Sequence, residues 1–247
     1  MPAITRTKSG TLVVDGVEYS TYPPPRAMVK AMKHQWANQL VIAGSMRFRS
    51  LEYYRKWENA VLGDPNDGEG LFHMNAHPFA VGSSNPVYAW CASLPEITVE
   101  RLLDLAKHGK YDCIVRIREP EVLLQRVRLA LRQKADELLL HCGEVFYDRG
   151  NEVDKETLNS QKFHFNVFQK SPRFMQDREY RMSLTDVSVR PNPREYVDLL
   201  VGDCSDIMDI EELPTRANPP DGLSNDAALA KWVRAGADYA ATFPGKR

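Results

Sequence analysis

The chain has 247 residues, of which 43% are hydrophobic and 26% are charged, a composition typical of a globular protein with a sizeable core. Its formal net charge of −1 excludes a general electrostatic attraction to nucleic acid or anionic membranes, although a local basic patch remains open. No apolar run approaches the roughly 20 residues of a membrane helix, and the first residues lack a signal segment. The sequence therefore predicts a cytoplasmic protein, in which four dispersed cysteines are reduced and mostly buried.

The residue pattern in the first third of the chain predicts a hairpin, a helix and a strand. Asp15-Gly16 lies between two β-prone runs and favours a tight hairpin turn within residues 11–20. Met28, Met32 and Trp36 follow one another at intervals of four, which predicts a helix over residues 26–42. Residues 46–50 alternate like a strand, residues 51–62 are interpreted as helical, and residues 63–85 as a long irregular loop.

The remainder predicts further strands and helices without a regular βαβ alternation. Strands are expected at 87–92, 112–118, 144–147, 162–169, 178–187 and 196–201. Helices are expected at 98–108, 121–141 and 225–240, the last after a Pro-rich linker at 214–220. This order favours a single α+β domain spanning 1–247, with helices packed on a mixed or antiparallel sheet.

Two groups of residues invite a comparison with metal sites. His73 and His77 would share one face of a helix, but their neighbours Asn75 and Pro78 favour a loop without a third ligand. The acidic stretch 63–70 places Gly68 at the fifth position from Asp64, whereas a calcium loop needs glycine at the sixth. We therefore expect no metal, and interpret the stretch as a solvated turn or, alternatively, a gating loop over a pocket.

Basic and aromatic residues are mixed in residues 47–57. The cations are Arg47, Arg49, Arg55 and Lys56, and the aromatic residues are Phe48, Tyr53, Tyr54 and Trp57. Arginine donors suit phosphate and aromatic faces suit bases, so the segment is compatible with a nucleotide or single-stranded nucleic acid. The alternative is a core of aromatic side chains with solvated arginines.

The predicted strand at 178–187 carries the most informative charges. Its alternation places Asp177, Glu179 and Arg181 on the face opposite Tyr180 and Met182. Two carboxylates in one cleft can act as a base or stabilise a developing cation. A surface strand with a cross-strand ion pair is the alternative interpretation.

Three stretches occur in an order that resembles uncharacterised bacterial abortive-infection, AbiGi-like families. They are GSMRFRSLEYYRKWEN with GDPNDGEG (44–70), VYAWCASLPE (87–96) and FQKSPRFMQDREYRM (168–182). The layout is also similar to the ADP-ribosyltransferase fold, in which an early strand grips NAD and a late strand carries the catalytic glutamate.

The resemblance implies roles for particular residues. Arg47 or Arg49, with Tyr53 and Tyr54, would bind NAD, which would be a substrate. Ser93 would orient the nicotinamide ribose, Glu179 would stabilise the oxocarbenium-like ribose, and Asp177 or Gln176 would guide an acceptor.

Two functions are therefore expected. The first is an NAD-consuming enzyme of the ADP-ribosyltransferase type, acting in conflict with phage, that modifies protein or nucleic acid. Its turnover, but not its folding, should be lost when Glu179 becomes Gln. The second is a non-catalytic immunity or sensor protein that binds a macromolecule. The first requires Glu179, Ser93 and an arginine in one pocket, whereas the second would place Glu179 and Arg181 on an exposed sheet face. A third option, a metal-dependent nuclease using Asp64, Glu69 or Asp177, has no supporting spacing.

Overall fold

The computed structural model describes residues 4–6, 12–14, 17–19, 24–56, 62–83, 85–134, 138–150, 167–188 and 194–213. The strands in these ranges are β1 (Ile4–Arg6), β2 (Leu12–Val14), β3 (Val17–Tyr19), β4 (Met28–Met32), β5 (Ser45–Ser50), β6 (Gly70–Met74), β7 (His77–Val81), β8 (Val87–Ser93), β9 (Cys113–Ile117), β10 (Leu138–Glu144), β11 (Glu179–Asp186), β12 (Tyr196–Leu200) and β13 (Met208–Glu212). The helices are α1 (His34–Val41), α2 (Leu51–Arg55), α3 (Val99–Gly109), α4 (Pro120–Lys134) and a 3₁₀-helix (Pro172–Asp177).

Eleven of these strands form one mixed sheet. Its main path runs β1-β2-β3-β10-β11-β8-β4-β9-β13, and β5 joins β8 and β12 beside it. The pairing of β3 with β10 is parallel and the other pairings are antiparallel. The predicted α+β class with a mixed sheet is therefore confirmed.

The centre of the sheet is the long pairing of β8 with β11. Tyr180, Met182 and Leu184 of β11 are fully buried in the main hydrophobic core, as their alternation predicted. The opposite face of β11 is buried as well, since Glu179, Arg181 and Ser183 are nearly inaccessible to solvent. This polar face is therefore an interior surface and not the solvated side of a strand.

The sheet forks along the other edge of β8. Tyr88 and Ala89 pair with β5, whereas Ser93 at the far end pairs with Val29 of β4. Between these pairings, the Cys91 carbonyl accepts a hydrogen bond from the side-chain ammonium of Lys30 and not from the backbone of a neighbouring strand. β4 and β5 thus separate along β8 and leave an opening between them.

The predicted helix over residues 26–42 is wrong in its first half. β4 pairs with β9 in continuous register from Met28↔Ile117 to Met32↔Cys113, and the helix begins only after Lys33, whose backbone is extended. Residues four apart share a face in a strand as well as in a helix, so the methionine spacing did not distinguish the two.

Two other predicted boundaries are corrected. The long helix predicted at 121–141 ends at Lys134, and the following leucines belong to β10, which pairs with β11 over seven residues. The loop predicted at 63–85 contains the β6–β7 hairpin, whose turn residues Asn75 and Ala76 both have positive φ. Such a turn usually contains glycine, and Asn-Ala gave no comparable signal.

Most of the other predicted elements agree with the structure apart from their ends, whereas β1, β13 and the 3₁₀-helix were not predicted. The β2–β3 hairpin, β5, β8, α3, β9, β11 and β12 lie where predicted, whereas the strand at 144–147 is reduced to a bridge between Phe146 and Gln169. Most of the strand predicted at 162–169, the linker at 214–220 and the helix at 225–240 lie outside the described residues. All four cysteines are free thiols, and three are buried. None of the described helices combines the length and apolar composition needed to cross a lipid bilayer.

Candidate functional site

A pocket of about 480 Å³ occupies the fork between β4 and β5. This volume lies within the usual range of small-molecule sites. Seven of the eight residues that the resemblance singled out line it: Arg47, Arg49, Tyr53, Tyr54, Ser93, Asp177 and Glu179. The eighth, Gln176, is exposed and is not part of the lining. Residues from three distant parts of the sequence therefore meet in one cavity.

The floor of the pocket is a buried ion cluster of Asp67, Lys170, Glu179 and Arg181. Lys170 Nζ lies 2.6 Å from Glu179 Oε2, and Arg181 Nε donates to Glu179 Oε1 over 2.7 Å. Arg181 also donates to Asp67 over 2.8 Å and to the Val167 carbonyl over 2.6 Å. Buried charges are tolerated when they are paired in this way, so the four side chains form one unit.

The cluster keeps Glu179 ionised. Burial by itself would raise the pKa of this carboxyl, but Arg181, Lys170 and the Cys91 thiol outweigh burial and hold the pKa well below the usual carboxyl range. The backbone N–H of Glu179 donates to the Tyr147 hydroxyl over 2.8 Å, which fixes the start of β11. The pocket therefore presents a carboxylate that is fixed in position and ionised at neutral pH.

This low pKa predicts a loss of stability in acid. An unfolded glutamate takes up its proton near 4.5, whereas the folded Glu179 stays ionised well below that value. Its contribution to stability is fully present above pH 4.5 and is lost as the pH falls towards the folded pKa. Urea unfolding between about pH 7 and pH 3 should show a smaller decline for Glu179→Gln than for the wild type. Parallel curves for the two proteins would contradict the prediction.

Asp177 lines the pocket, but it belongs to the 3₁₀-helix and not to the strand in which it was predicted. It ends the 3₁₀-helix, and Arg178 follows with a left-handed backbone, so Asp177 does not continue the face of β11. Arg101 donates to its Oδ1 over 2.8 Å. Burial raises the pKa of Asp177, while Lys170 and Arg101 oppose that effect.

Ser93 lies beside Glu179 in the sheet. In the β8–β11 register it is directly opposite Glu179, and on its other side it pairs with Val29 of β4. Its side chain is half-buried at the pocket wall. Cross-strand partners have Cβ atoms about 4.5–5.5 Å apart, so Ser93 and Glu179 can contact the same ligand.

The structure distinguishes the two candidate arginines. Arg47 donates to both oxygens of Asp198 over 2.8 Å and stacks on the Tyr196 ring at 3.9 Å. Arg49 instead lies over the Tyr53 ring at 4.3 Å. Within the described residues no carboxylate pairs with Arg49, which makes it the better candidate for binding an anionic ligand.

Lys30 is a pocket residue that the sequence reasoning missed. Its ammonium lies 4.8 Å from the centre of the Trp90 ring and lines the pocket without an ion-pair partner among the described carboxylates. Burial lowers the pKa of Lys30, and the nearby Cys91 and Glu179 offset only part of that effect. The signal in the sequence was the lone charge in MVKAM, within a segment that was predicted to be a helix and is a strand.

The acidic loop at 64–69 is not a solvated turn, and that expectation is wrong. Asp64 and Asp67 are almost completely buried. Arg149 pairs with Asp64 at 2.7 Å and Arg181 with Asp67 at 2.8 Å. Asp67 also lines the pocket, so the loop forms part of the pocket wall.

The two histidines considered as metal ligands lie in the β6–β7 hairpin. His73 Nδ1 is 2.8 Å from the Gly150 carbonyl, and His77 stands opposite Met74 in the register. Among the residues described, no group of three or more histidine, cysteine or acidic side chains is arranged to hold a metal ion.

The pocket has the chemistry of a site for an aromatic anion. Six lining side chains are cationic and three are acidic, which differs from the near-neutral chain as a whole. Five are aromatic: Trp36, Tyr53, Tyr54, Trp90 and Tyr111. Nucleotides combine phosphate groups with flat rings, and these side chains suit both parts.

Comparisons of the chain with protein-family models, curated proteins and solved structures gave no match. The assignment of a function therefore depends on the pocket itself.

Proposed function

We propose that the chain binds NAD and breaks its nicotinamide–ribose bond, as an ADP-ribosyltransferase or an NAD glycohydrolase does, in an antiviral or toxin role. The observation that carries the proposal is the meeting of Glu179, Ser93 and Arg49 in one pocket. The sequence reasoning had required this convergence for an enzyme. An ADP-ribosyltransferase-like arrangement of the sheet is part of the same proposal, and the forked sheet around the pocket supports it.

The proposed reaction is a heterolytic cleavage. The bond between ribose C1′ and the nicotinamide nitrogen breaks, and its electron pair leaves with nicotinamide, which becomes neutral. The positive charge remains on the ribose as an oxocarbenium ion. Water or an acceptor then forms a bond to C1′ and releases a proton. A carboxylate held near C1′ stabilises this developing positive charge.

Glu179 fits that role because it is ionised and fixed in position. Its two partners, Lys170 and Arg181, prevent it from rotating, and Asp67 balances part of their charge. Ser93 is the cross-strand neighbour of Glu179, so its hydroxyl can bind a ribose hydroxyl of the same substrate molecule. Preorganised groups of this kind lower the barrier because they need no rearrangement during the reaction.

The anionic and flat parts of NAD have their own partners. Lys30 and Arg49 are cations without a described carboxylate partner, so they are available to the pyrophosphate. Arg49 lies over the Tyr53 ring at 4.3 Å, and Tyr111 lines the same pocket. A base or nicotinamide ring can stack on such tyrosines.

The two arginines of β5 provide a matched test of NAD binding. We expect Arg49→Gln to weaken binding about 10-fold or more, because a charge-assisted contact to phosphate is worth roughly 1.5–3 kcal/mol. Arg47→Gln should weaken it much less, because Arg47 is already engaged by Asp198. Proton NMR of NAD with each purified protein gives both the dissociation constant and the rate of nicotinamide release.

Arg132→Gln is the control for a general loss of positive charge, since Arg132 is exposed on α4 outside the pocket. Wild-type protein that neither binds NAD nor releases nicotinamide would refute the proposal. Equal effects of Arg47→Gln and Arg49→Gln would refute the assignment of the phosphate contact.

A nucleotide-binding protein without turnover is the alternative. The observation that favours it is the charge balance around Glu179, because two cations within hydrogen-bonding distance reduce the negative potential available to a ribose cation. NAD or another nucleotide would then bind without nicotinamide release. The same NMR experiment separates the two functions.

A further inference from the structure

The mouth of the pocket carries a second group of side chains, which we call the rim: Lys33, Trp36, Arg49, Tyr53 and Tyr111. All five line the pocket. Lys33 is exposed, and Trp36 and Tyr53 remain 44% and 36% accessible to solvent. Large aromatic side chains left open at the edge of a cavity usually mark a binding surface.

A hydrogen bond between the start of α1 and the segment that follows α3 brings the rim residues together. The backbone N–H of His34 donates to Asp112 Oδ1 over 2.6 Å, which brings the start of α1 next to Tyr111. Lys33 immediately precedes α1 and Trp36 lies in its first turn, and both side chains line the pocket. The exposed Lys110, adjacent to Tyr111, adds a further positive charge beside the rim.

Three carboxylates near the rim, among the residues that the structure describes, are already engaged. Asp112 accepts from His34, Glu52 pairs with Lys56 at 2.6 Å, and Asp104 pairs with Arg101 at 2.6 Å. The rim itself contains two cations and three aromatic rings and no acidic side chain. Its charge is therefore complementary to an anionic partner, although the whole chain carries a net charge of −1.

We propose that the rim binds single-stranded nucleic acid and presents one unstacked base to the pocket. Cationic side chains that follow a phosphate backbone, together with open aromatic faces on which bases stack, are the features of single-strand binding. A duplex is disfavoured, because its bases are stacked and paired and cannot reach into a cavity without being flipped out.

This inference rests on the proposed function in one respect, because it names nucleic acid as the acceptor of ADP-ribose. A nitrogen lone pair of the base would form the bond to C1′ as nicotinamide leaves with the electrons of the broken bond. The proton on that nitrogen would pass to water. Binding at the rim does not itself require NAD, so it is tested separately.

The test is fluorescence anisotropy of labelled single-stranded DNA and RNA oligonucleotides, without NAD, with the matching duplex and a polyglutamate peptide as competitors. We expect Trp36→Leu to weaken single-strand binding about 10-fold, and Trp36→Phe to retain most of it, because only the latter keeps a stacking face. Lys33→Gln should reduce the affinity and the salt dependence. Arg132→Gln, which removes an exposed positive charge outside the rim and the pocket, is the matched control.

Single-strand binding that depends on Trp36 and Lys33 supports the inference. No oligonucleotide binding at low salt, or binding unaffected by Trp36→Leu, overturns it. Tighter binding of polyglutamate than of the oligonucleotides also overturns it and points to an acidic protein as the partner. Nicotinamide release is measured separately, so failure at the rim is distinguishable from failure of the NAD proposal.

Discussion

Replacing Glu179 with glutamine is expected to lower the free energy of unfolding by about 3–5 kcal/mol, the usual cost of removing one partner of a buried ion pair. Lys170 would keep its charge in a buried position and lose the carboxylate that lies 2.6 Å away. Arg181 would keep Asp67 but lose its contact with Glu179. The sequence predicted that this substitution would leave folding intact, and the burial of the cluster changes that expectation.

The same substitution is expected to reduce nicotinamide release by about 10²–10³-fold, the effect of removing one preorganised group that stabilises a transition state. Activity is to be measured at a temperature at which circular dichroism shows the variant to be folded. Unchanged turnover in folded Glu179→Gln would contradict the catalytic role.

Two further variants separate the effects on stability and on chemistry. Glu211→Gln breaks a partly exposed pair with Arg116 outside the pocket and should cost no more than about 1 kcal/mol. Combining Glu179→Gln with Lys170→Met removes both charges of the buried pair and should restore part of the lost stability. Because the carboxylate is still missing, this double variant should remain inactive.

The sequence predicted those elements whose local pattern allows one interpretation. Thr98 caps the start of α3 by accepting from the Arg101 N–H, and a left-handed Lys110 follows its end. The apolar alternation of β11 correctly identified Tyr180 and Met182 as core residues. The helix predicted for the first part of residues 26–42 was wrong, because a spacing of four residues is compatible with both a strand and a helix.

Seven residues that the sequence singled out line the pocket, but the electrostatics of the pocket were not predicted. The alternation in β11 left open whether the second face of the strand lies in a cleft or meets solvent, and the structure shows that this face is buried. Its charges are neutralised by residues distant in sequence, since Asp67 and Arg181 are 114 positions apart. No local pattern predicts such a pairing, and Lys30 was missed because its strand was interpreted as a helix.

Arg181→Lys is expected to lower the free energy of unfolding by about 2–4 kcal/mol, although it preserves the charge. Arg181 is fully buried and its planar guanidinium contacts Glu179, Asp67 and the Val167 carbonyl at once. An ammonium on a flexible stem cannot reproduce this forked geometry. Urea unfolding of the wild type and the variant measures the difference.

The loss should be concentrated in the loop at 64–69. Arg181 holds this loop from the pocket side through Asp67, while Arg149 holds it through Asp64. Hydrogen exchange of the Asp67 and Glu69 amides, which donate to the Asp64 and Asn66 carbonyls within the loop, should accelerate in Arg181→Lys. Arg116→Lys, at a two-contact pair with Glu211, is the matched control and should leave these amides unchanged. Equal acceleration of exchange in both variants would show that the loop responds to overall stability and not to the ion cluster. Acceleration in Arg181→Lys alone would show that the ion cluster holds this wall of the pocket in place.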